Sequence, residues 1–201
     1  YKNPKFFISL IAFVRNLIEY SESKSNAHYL TLTSCLHRKE ETDDISVGQI
    51  FEIFKDRYGP EPEDWAEAGG VIVEVTGELA MQIAVDRREG FHNVLKPIVE
   101  ETEGLELVSV EGKFQPDLAY QRVTDLVTKY GDDIIGTYTH GDTMTIAGVW
   151  PALNAKGLGY TKDDPNHIPM VCIDGTPEAL KLVRDGIIDS VSVQDAFGEG
   201  V

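Results

Sequence analysis

Gly69-Gly70-Val71-Ile72-Val73-Glu74-Val75-Thr76-Gly77 is the stretch on which the fold turns. Val71 to Val75 is a run suited to a buried strand, and Thr76-Gly77 ends it. Ala80 to Glu101 then reads as a helix, and the alternation repeats. Leu105 to Val110 makes the next strand. Asp117 to Tyr130 is amphipathic, with Leu118, Val123, Leu126 and Val127 on its apolar stripe and Gly131 placed to end it. A strand at Asp133 to Thr139, a helix at Thr143 to Ala155, a strand at Ile168 to Ile173, a helix at Pro177 to Arg184 and a strand at Ser190 to Gln194 complete the order βαβαβαβαβ. Apolar strands alternating with amphipathic helices predict an α/β fold, a parallel sheet flanked by helices on both faces.

Upstream, Val47 to Tyr58 carries apolar residues at 47, 50, 51, 53 and 54, with Asp43 or Asp44 as the N-cap, and reads as a helix feeding the first strand. Gly59-Pro60-Glu61-Pro62-Glu63-Asp64 between them is expected to be a solvated loop. Residues 1 to 41 read as a helix (Phe6 to Tyr20), a polar turn (Ser21 to Asn26) and a short strand (Tyr29 to Thr33).

Bulk properties exclude several function classes. The chain has 201 residues, 42% of them hydrophobic, enough for a sizeable core. A net charge of −16 argues against binding nucleic acid, whose phosphates require clustered Lys and Arg, and against anionic membranes. The longest apolar stretch, Phe6 to Ile18, is interrupted by Arg15 and Asn16 and falls short of the roughly 20 residues that span a bilayer, so direct membrane insertion is not expected. Cys35 and Cys172 show no metal or redox spacing, and Cys172, in Met170-Val171-Cys172-Ile173, reads as a small buried hydrophobe. With Tyr1 first and no signal peptide in view, the chain is expected to be mature, trimmed or a piece of something longer. Nucleophile-elbow, phosphate-loop, dinucleotide-loop and His-Glu-x-x-His patterns are all missing, and no cofactor is implied.

Several segments, in order and spacing, resemble the C-terminal lobe of type 1 periplasmic sugar-binding proteins, the family of ribose-binding and galactose-binding proteins and of the effector domains of lactose-type repressors. These are Asp43-Asp44 with Gly48, Gly69 to Gly77, Asp86-Arg87-Arg88-Glu89-Gly90-Phe91, Asp142-Thr143-Met144, Ile173 to Ala179, Asp185-Gly186 and Val193-Gln194. The resemblance spans roughly 42 to 201. It implies a type 1 periplasmic-binding-protein-like lobe over 42–201, with 1–41 as a remnant of the N-terminal lobe and its crossover.

In open parallel sheets ligands sit beyond the C-terminal strand ends, and the notable polar residues fall there. The resemblance implies that Arg87, in its Arg-x-x-Gly-Phe setting, donates to ligand oxygens; the competing reading is a surface Arg paired with Asp86 or Glu89, a role expected of Arg88. Asp174 before Gly175 suits a carboxylate accepting two sugar hydroxyls, or else a cap for the helix near Pro177. Phe114 either offers its face to a sugar ring or packs on the following helix. Gln194 matches a ligand-bonding position. At His140-Gly141-Asp142 the family has Asn-Asp; His140 replaces the Asn if Gly141 is inserted, or Gly141 stands at its position and leaves a contact missing, with Asp142 the more structural member. His140 and Asp142 make only two metal ligands, without a third.

The resemblance implies a non-enzymatic substrate-binding component of an ABC sugar transporter, holding a sugar or polyol between two lobes and delivering it to a membrane permease, in the periplasm or another extracytoplasmic space. The alternative is the effector-binding domain of a lactose-type transcription repressor, told apart by an upstream signal peptide or helix-turn-helix. A third, an enzyme using Asp174, His140 and Arg87 as acid, base and anion clamp, predicts turnover.

Overall fold

Five parallel strands in the order β2-β1-β3-β4-β5 form the frame of the protein, seen in a computed structural model that describes the backbone of residues 41–194 and the side chains of residues 48–194. The elements expected before residue 41, Cys35 among them, and the chain end at Gly200-Val201 lie outside the described residues. The elements run α1 (Glu41–Tyr58), α2 (Pro62–Glu67), β1 (Val71–Thr76), α3 (Gln82–Glu101), β2 (Glu106–Glu111), α4 (Pro116–Tyr130), β3 (Ile134–Thr139), a helical turn α5 (Asp142–Met144), a π-helical turn (Thr145–Val149), α6 (Trp150–Asn154), β4 (Met170–Asp174), α7 (Pro177–Arg184) and β5 (Ser190–Val193).

The two-residue period of β1 divides the core. Val71, Val73 and Val75 face Val123, Leu126 and Val127 of α4, together with Met144 and Leu153. Ile72 faces the other way, with Ile50 and Phe54 of α1, Trp65 of α2, and Phe91 and Leu95 of α3. Every β1 residue is buried, as a strand covered on both faces must be, whereas β2 at the sheet edge is largely half-buried. Register puts Val75 beside Val110 and Thr139, and Asp174 beside Val193, so the carboxyl ends of the strands form one rim.

Three local expectations are corrected. Asp43 and Asp44 lie inside α1, which begins at Glu41, and not at its cap. The connector at 59–64 runs into a helix: Pro62 suits the first helical turn, Asp64 Oδ2 accepts the Glu61 N–H at 3.0 Å, and buried Trp65 donates Nε1–H to the Gly59 carbonyl at 2.9 Å. The single helix expected over 143–155 is split by the π turn; Gly148 within it lets α4 approach so closely that a Cβ would stand 2.7 Å from the Pro116 oxygen. Gly131 ends α4 at φ +53°, as read from sequence. Cys172 is fully buried, and burial pushes its thiol upward.

Glu74 breaks the apolar pattern of β1 and is 0% exposed. A buried carboxylate requires donors, and it has three. Ser109 Oγ donates to Oε2 at 2.5 Å, His92 Nε2 lies 2.8 Å from the same oxygen, and His140 Nε2 lies 3.1 Å from Oε1. Burial alone would raise its pKa; the hydrogen bonds from His140, His92 and Ser109 override it and bring the value from 4.5 to about 2.

Two predictions follow from this packing. Phe54 fills the space over Gly136, where a Cβ would stand 2.5 Å from the ring, so Phe54→Ala should lower stability by about 3–5 kcal/mol in denaturant melts. Because Glu74 has a depressed folded pKa, its contribution to stability is full above 4.5 and is lost as pH falls toward about 2. The melting temperature of the wild type should therefore fall across that window more steeply than that of Glu74→Gln; parallel curves would contradict the assignment.

Candidate functional site

At the rim, a buried guanidinium gathers three strand ends. Arg87 leaves the first half of α3 and is 5% exposed. Its Nη1 donates to the His140 carbonyl beyond β3. Its Nη2 donates at 3.0 Å to Asp174 Oδ1 at the end of β4 and at 3.0 Å to Gln194 Oε1 beyond β5. The Gln194 N–H in turn donates to the Asp174 carbonyl at 3.1 Å. Arg87 is thus not a surface residue paired with Asp86, whose Oδ1 accepts from Gln82 at 2.6 Å. Arg88, expected to take that surface role, instead lines a groove of about 370 Å³ with His92, Lys96 and Ser109, between α3 and β2 and away from the rim.

Asp174 is the carboxylate that the rim presents. Its side chain keeps 33% of its exposure, and burial raises its pKa against the opposing pull of Arg87. A φ of +114° at Asp174, followed by +82° at Gly175, turns the chain sharply at the strand end. A Cβ on Gly175 would stand 2.8 Å from Val193 Cγ2, so glycine alone fits between β4 and β5 there. Asp174 is not the cap of α7; Thr176 Oγ1 has that role, accepting the Ala179 N–H at 3.3 Å.

Phe114 follows β2 through two left-handed residues, Lys113 at φ +56° and Phe114 at φ +57°. Its half-buried ring lies over Gly77, where a Cβ would stand 2.1 Å from Cζ, and near Gly141, where one would stand 3.5 Å from Cδ1. The ring therefore rests across the ends of β1 and β3, beside Asp174.

The His140 side chain does not face the rim, as the reading in which it replaces the Asn would require, and Asp142 is buried in a structural place rather than set to contact a ligand. The His140 imidazole is fully buried, its Nδ1 accepting the Gly77 N–H at 3.1 Å and its Nε2 directed at Glu74. With Nδ1 an acceptor, the proton sits on Nε2 and the ring is neutral. Desolvation lowers its pKa, against the pull of Glu74. Only its carbonyl reaches Arg87. Asp142 is also fully buried; its Oδ2 accepts the Thr176 N–H at 2.7 Å and holds the turn after β4. The position between them that faces the rim is Gly141, where a Cβ would stand 3.2 Å from Asp174 Oδ2.

The structure also brings in Glu74, His92 and Ser109, none of which was singled out in sequence. One signal was present: a lone acid inside the run Val71–Val75. Ser109 Oγ donates to Glu74, and it lies 3.4 Å from the same His92 Nε2 that Glu74 uses. Among the described residues no group of three or more His, Cys, Asp or Glu is placed to hold a metal ion, and no helix is long and apolar enough to cross a membrane.

The architecture has known relatives. The periplasmic binding protein component of the arabinose ABC transporter from Shewanella sp. ANA-3, bound to α- and β-L-arabinofuranose, superposes with a TM-score of 0.59 at 21% identity, over 87% of this chain and 52% of that one. A periplasmic ribose ABC transporter structure from Conexibacter woesei DSM 14684 gives 0.56 at 23% identity, over 75% and 43%. An ABC transporter periplasmic solute binding protein from Actinobacillus succinogenes 130z with bound D-allose gives 0.58 at 16% identity, over 75% and 44%. The chain spans about half the length of these structures. No curated protein matches it in sequence. The family described as periplasmic binding protein domain matches residues 50–201, three quarters of the chain, and the protein belongs to that family.

Proposed function

We propose that residues 42–201 form the C-terminal ligand-binding lobe of the substrate-binding component of an ABC sugar transporter, which captures a sugar or polyol outside the cytoplasm and passes it to a membrane permease without chemical change. The observation that carries this reading is the Arg87–Asp174–Gln194 cluster beside the Phe114 ring at the carboxyl rim of a parallel sheet. A sugar offers hydroxyls on its edge and C–H groups on its face. A part-exposed carboxylate accepts two hydroxyls, a glutamine amide both donates and accepts, and an aromatic ring suits the C–H face.

Arg87 serves this site mainly from behind. Both of its Nη atoms already donate to protein acceptors, so it fixes the orientation of Asp174 and Gln194 and supplies positive charge beneath them. His140 and Asp142 shape the rim through its backbone and the following turn. Domain closure by an opposing N-terminal lobe would complete the cleft, as hinge-bending receptors do. The transporter relatives bound to arabinofuranose and allose support a monosaccharide as the ligand class.

Isothermal titration of the full-length protein against L-arabinose, D-ribose and D-allose should show binding to at least one sugar, with the sugar recovered unaltered. Asp174→Ala should weaken that binding by about a hundredfold or more, because it removes a charged acceptor of two hydroxyls. Equal affinity in the variant, or product formation, would refute the proposal.

A further inference from the structure

Glu74 lies one layer below the rim, has no place in the ligand contacts proposed above, and is a costly residue to bury in the second strand position from the sheet edge. We propose that Glu74 is a positioning residue for the ligand rim, acting through His140: by taking the His140 Nε2–H, it fixes the ring so that Nδ1 holds the Gly77 amide and the His140 carbonyl stays on Arg87. The proposal rests on the reading of the rim as a sugar site, and extends it to a residue that touches no ligand.

The geometry leaves the ring little choice. His140 joins β1 to β3 at their carboxyl ends, with its own N–H donating to the Val75 carbonyl at 3.0 Å and its Nδ1 accepting from Gly77 at 3.1 Å. Tyr138 meets its ring edge-on at 5.4 Å, so the imidazole is wedged as well as bonded. If Nδ1 gained a proton, the Gly77 N–H would face another donor and one of the two would have to move. Gly77 carries the Phe114 ring, and the His140 carbonyl holds one arm of Arg87, so a displaced ring disturbs both the aromatic platform and the cluster of Asp174 and Gln194. The charged and titratable residues around His140 are Glu74 from β1, Tyr138 from β3, and Arg87 and His92 from α3. Glu74 favours the Nε2–H form; the Arg87 guanidinium opposes a further positive charge on the ring.

His92 gives this strut an outlet. It is 19% exposed, lines the groove between α3 and β2, and shares Glu74 with His140.

The test uses full-length protein labelled with ¹⁵N-histidine, with the His140 ring assigned through its bond to the Gly77 amide. In the unliganded protein the ring should carry its proton on Nε2, with Nδ1 bare, and should not titrate near the ordinary histidine value of 6.5. An Nδ1-protonated ring, or an ordinary titration, overturns the proposal whatever the protein binds. Glu74→Val should shift the Gly77 amide and weaken binding of the sugar identified in the panel by about tenfold, as loss of one buried hydrogen-bond partner predicts. Glu74→Gln, whose amide oxygen still accepts from Nε2, should restore affinity to within about threefold of wild type. Folded Glu74→Val with wild-type affinity overturns the proposal. If Glu74→Val fails to fold, the ring state of the wild type and the affinity of Glu74→Gln decide. Should the wild type bind no sugar while the ring behaves as stated, the sugar reading fails and the strut stands on the Gly77 amide shift alone.

Discussion

A guanidinium withdrawn from water needs an acceptor for each N–H turned inward, and Arg87 finds its acceptors on three separate strand ends. Those strands are adjacent in the sheet but far in sequence from Arg87; its pairing with Gln194 alone closes 107 residues of chain. Such a contact forms only when β3, β4 and β5 are in register, so the geometry of the rim is inherited from the sheet. In return the rim gains a fixed arrangement of carboxylate and amide that a loop could not hold by itself. The carboxylate remains part-exposed while the arginine does not, which places the carboxylate oxygens outward and the compensating charge inward.

Beneath Arg87 the same logic is repeated with the sign reversed. Glu74 is an anion inside the sheet, satisfied by a serine and two histidines. The two charges meet at His140, whose imidazole answers Glu74 while its carbonyl answers Arg87. An acidic protein of net charge −16 thus keeps a fully buried carboxylate ionised by local donors, independently of a surface field that would favour protonation. Replacing a buried ionic cluster by apolar residues of similar volume is often neutral or stabilising, which makes conformational definition the more natural return from burying one.

The sheet was legible because its signal is periodic. Runs such as Val71–Val75 and Ile168–Ile173 alternate with amphipathic helices, the mark of a parallel sheet covered on both faces. Boundaries were less legible where a local device overrode composition. Pro60 and Pro62 with three acids read as solvated loop, yet proline is also at home in a first helical turn, and Trp65 supplied the burial that makes the turn worthwhile. The interruption after Asp142 depends on how closely α4 approaches Gly148, a tertiary fact with no one-dimensional trace.

Asp174, Phe114 and Gln194 were found from their position after strands and Arg87 from the family pattern, and the sheet brings the four together. His140 shows the limit of that method. Sequence places a residue at a strand end, but the two-residue alternation of the strand decides whether its side chain enters the core or the cleft, and one residue of offset exchanges the two. His140 follows Tyr138 on the face that holds Phe91 and Glu74, so its ring is directed inward and Gly141 receives the outward position. That parity was available from the sequence once Val71–Val75 had been read: Glu74 shares the face of Ile72, and an acid on a covered face calls for a donor on a neighbouring strand. Buried polar residues are therefore best interpreted in pairs. A histidine at a strand end and a glutamate one layer below it in the adjacent strand explain each other, although neither alone distinguishes a ligand contact from the scaffold that holds one.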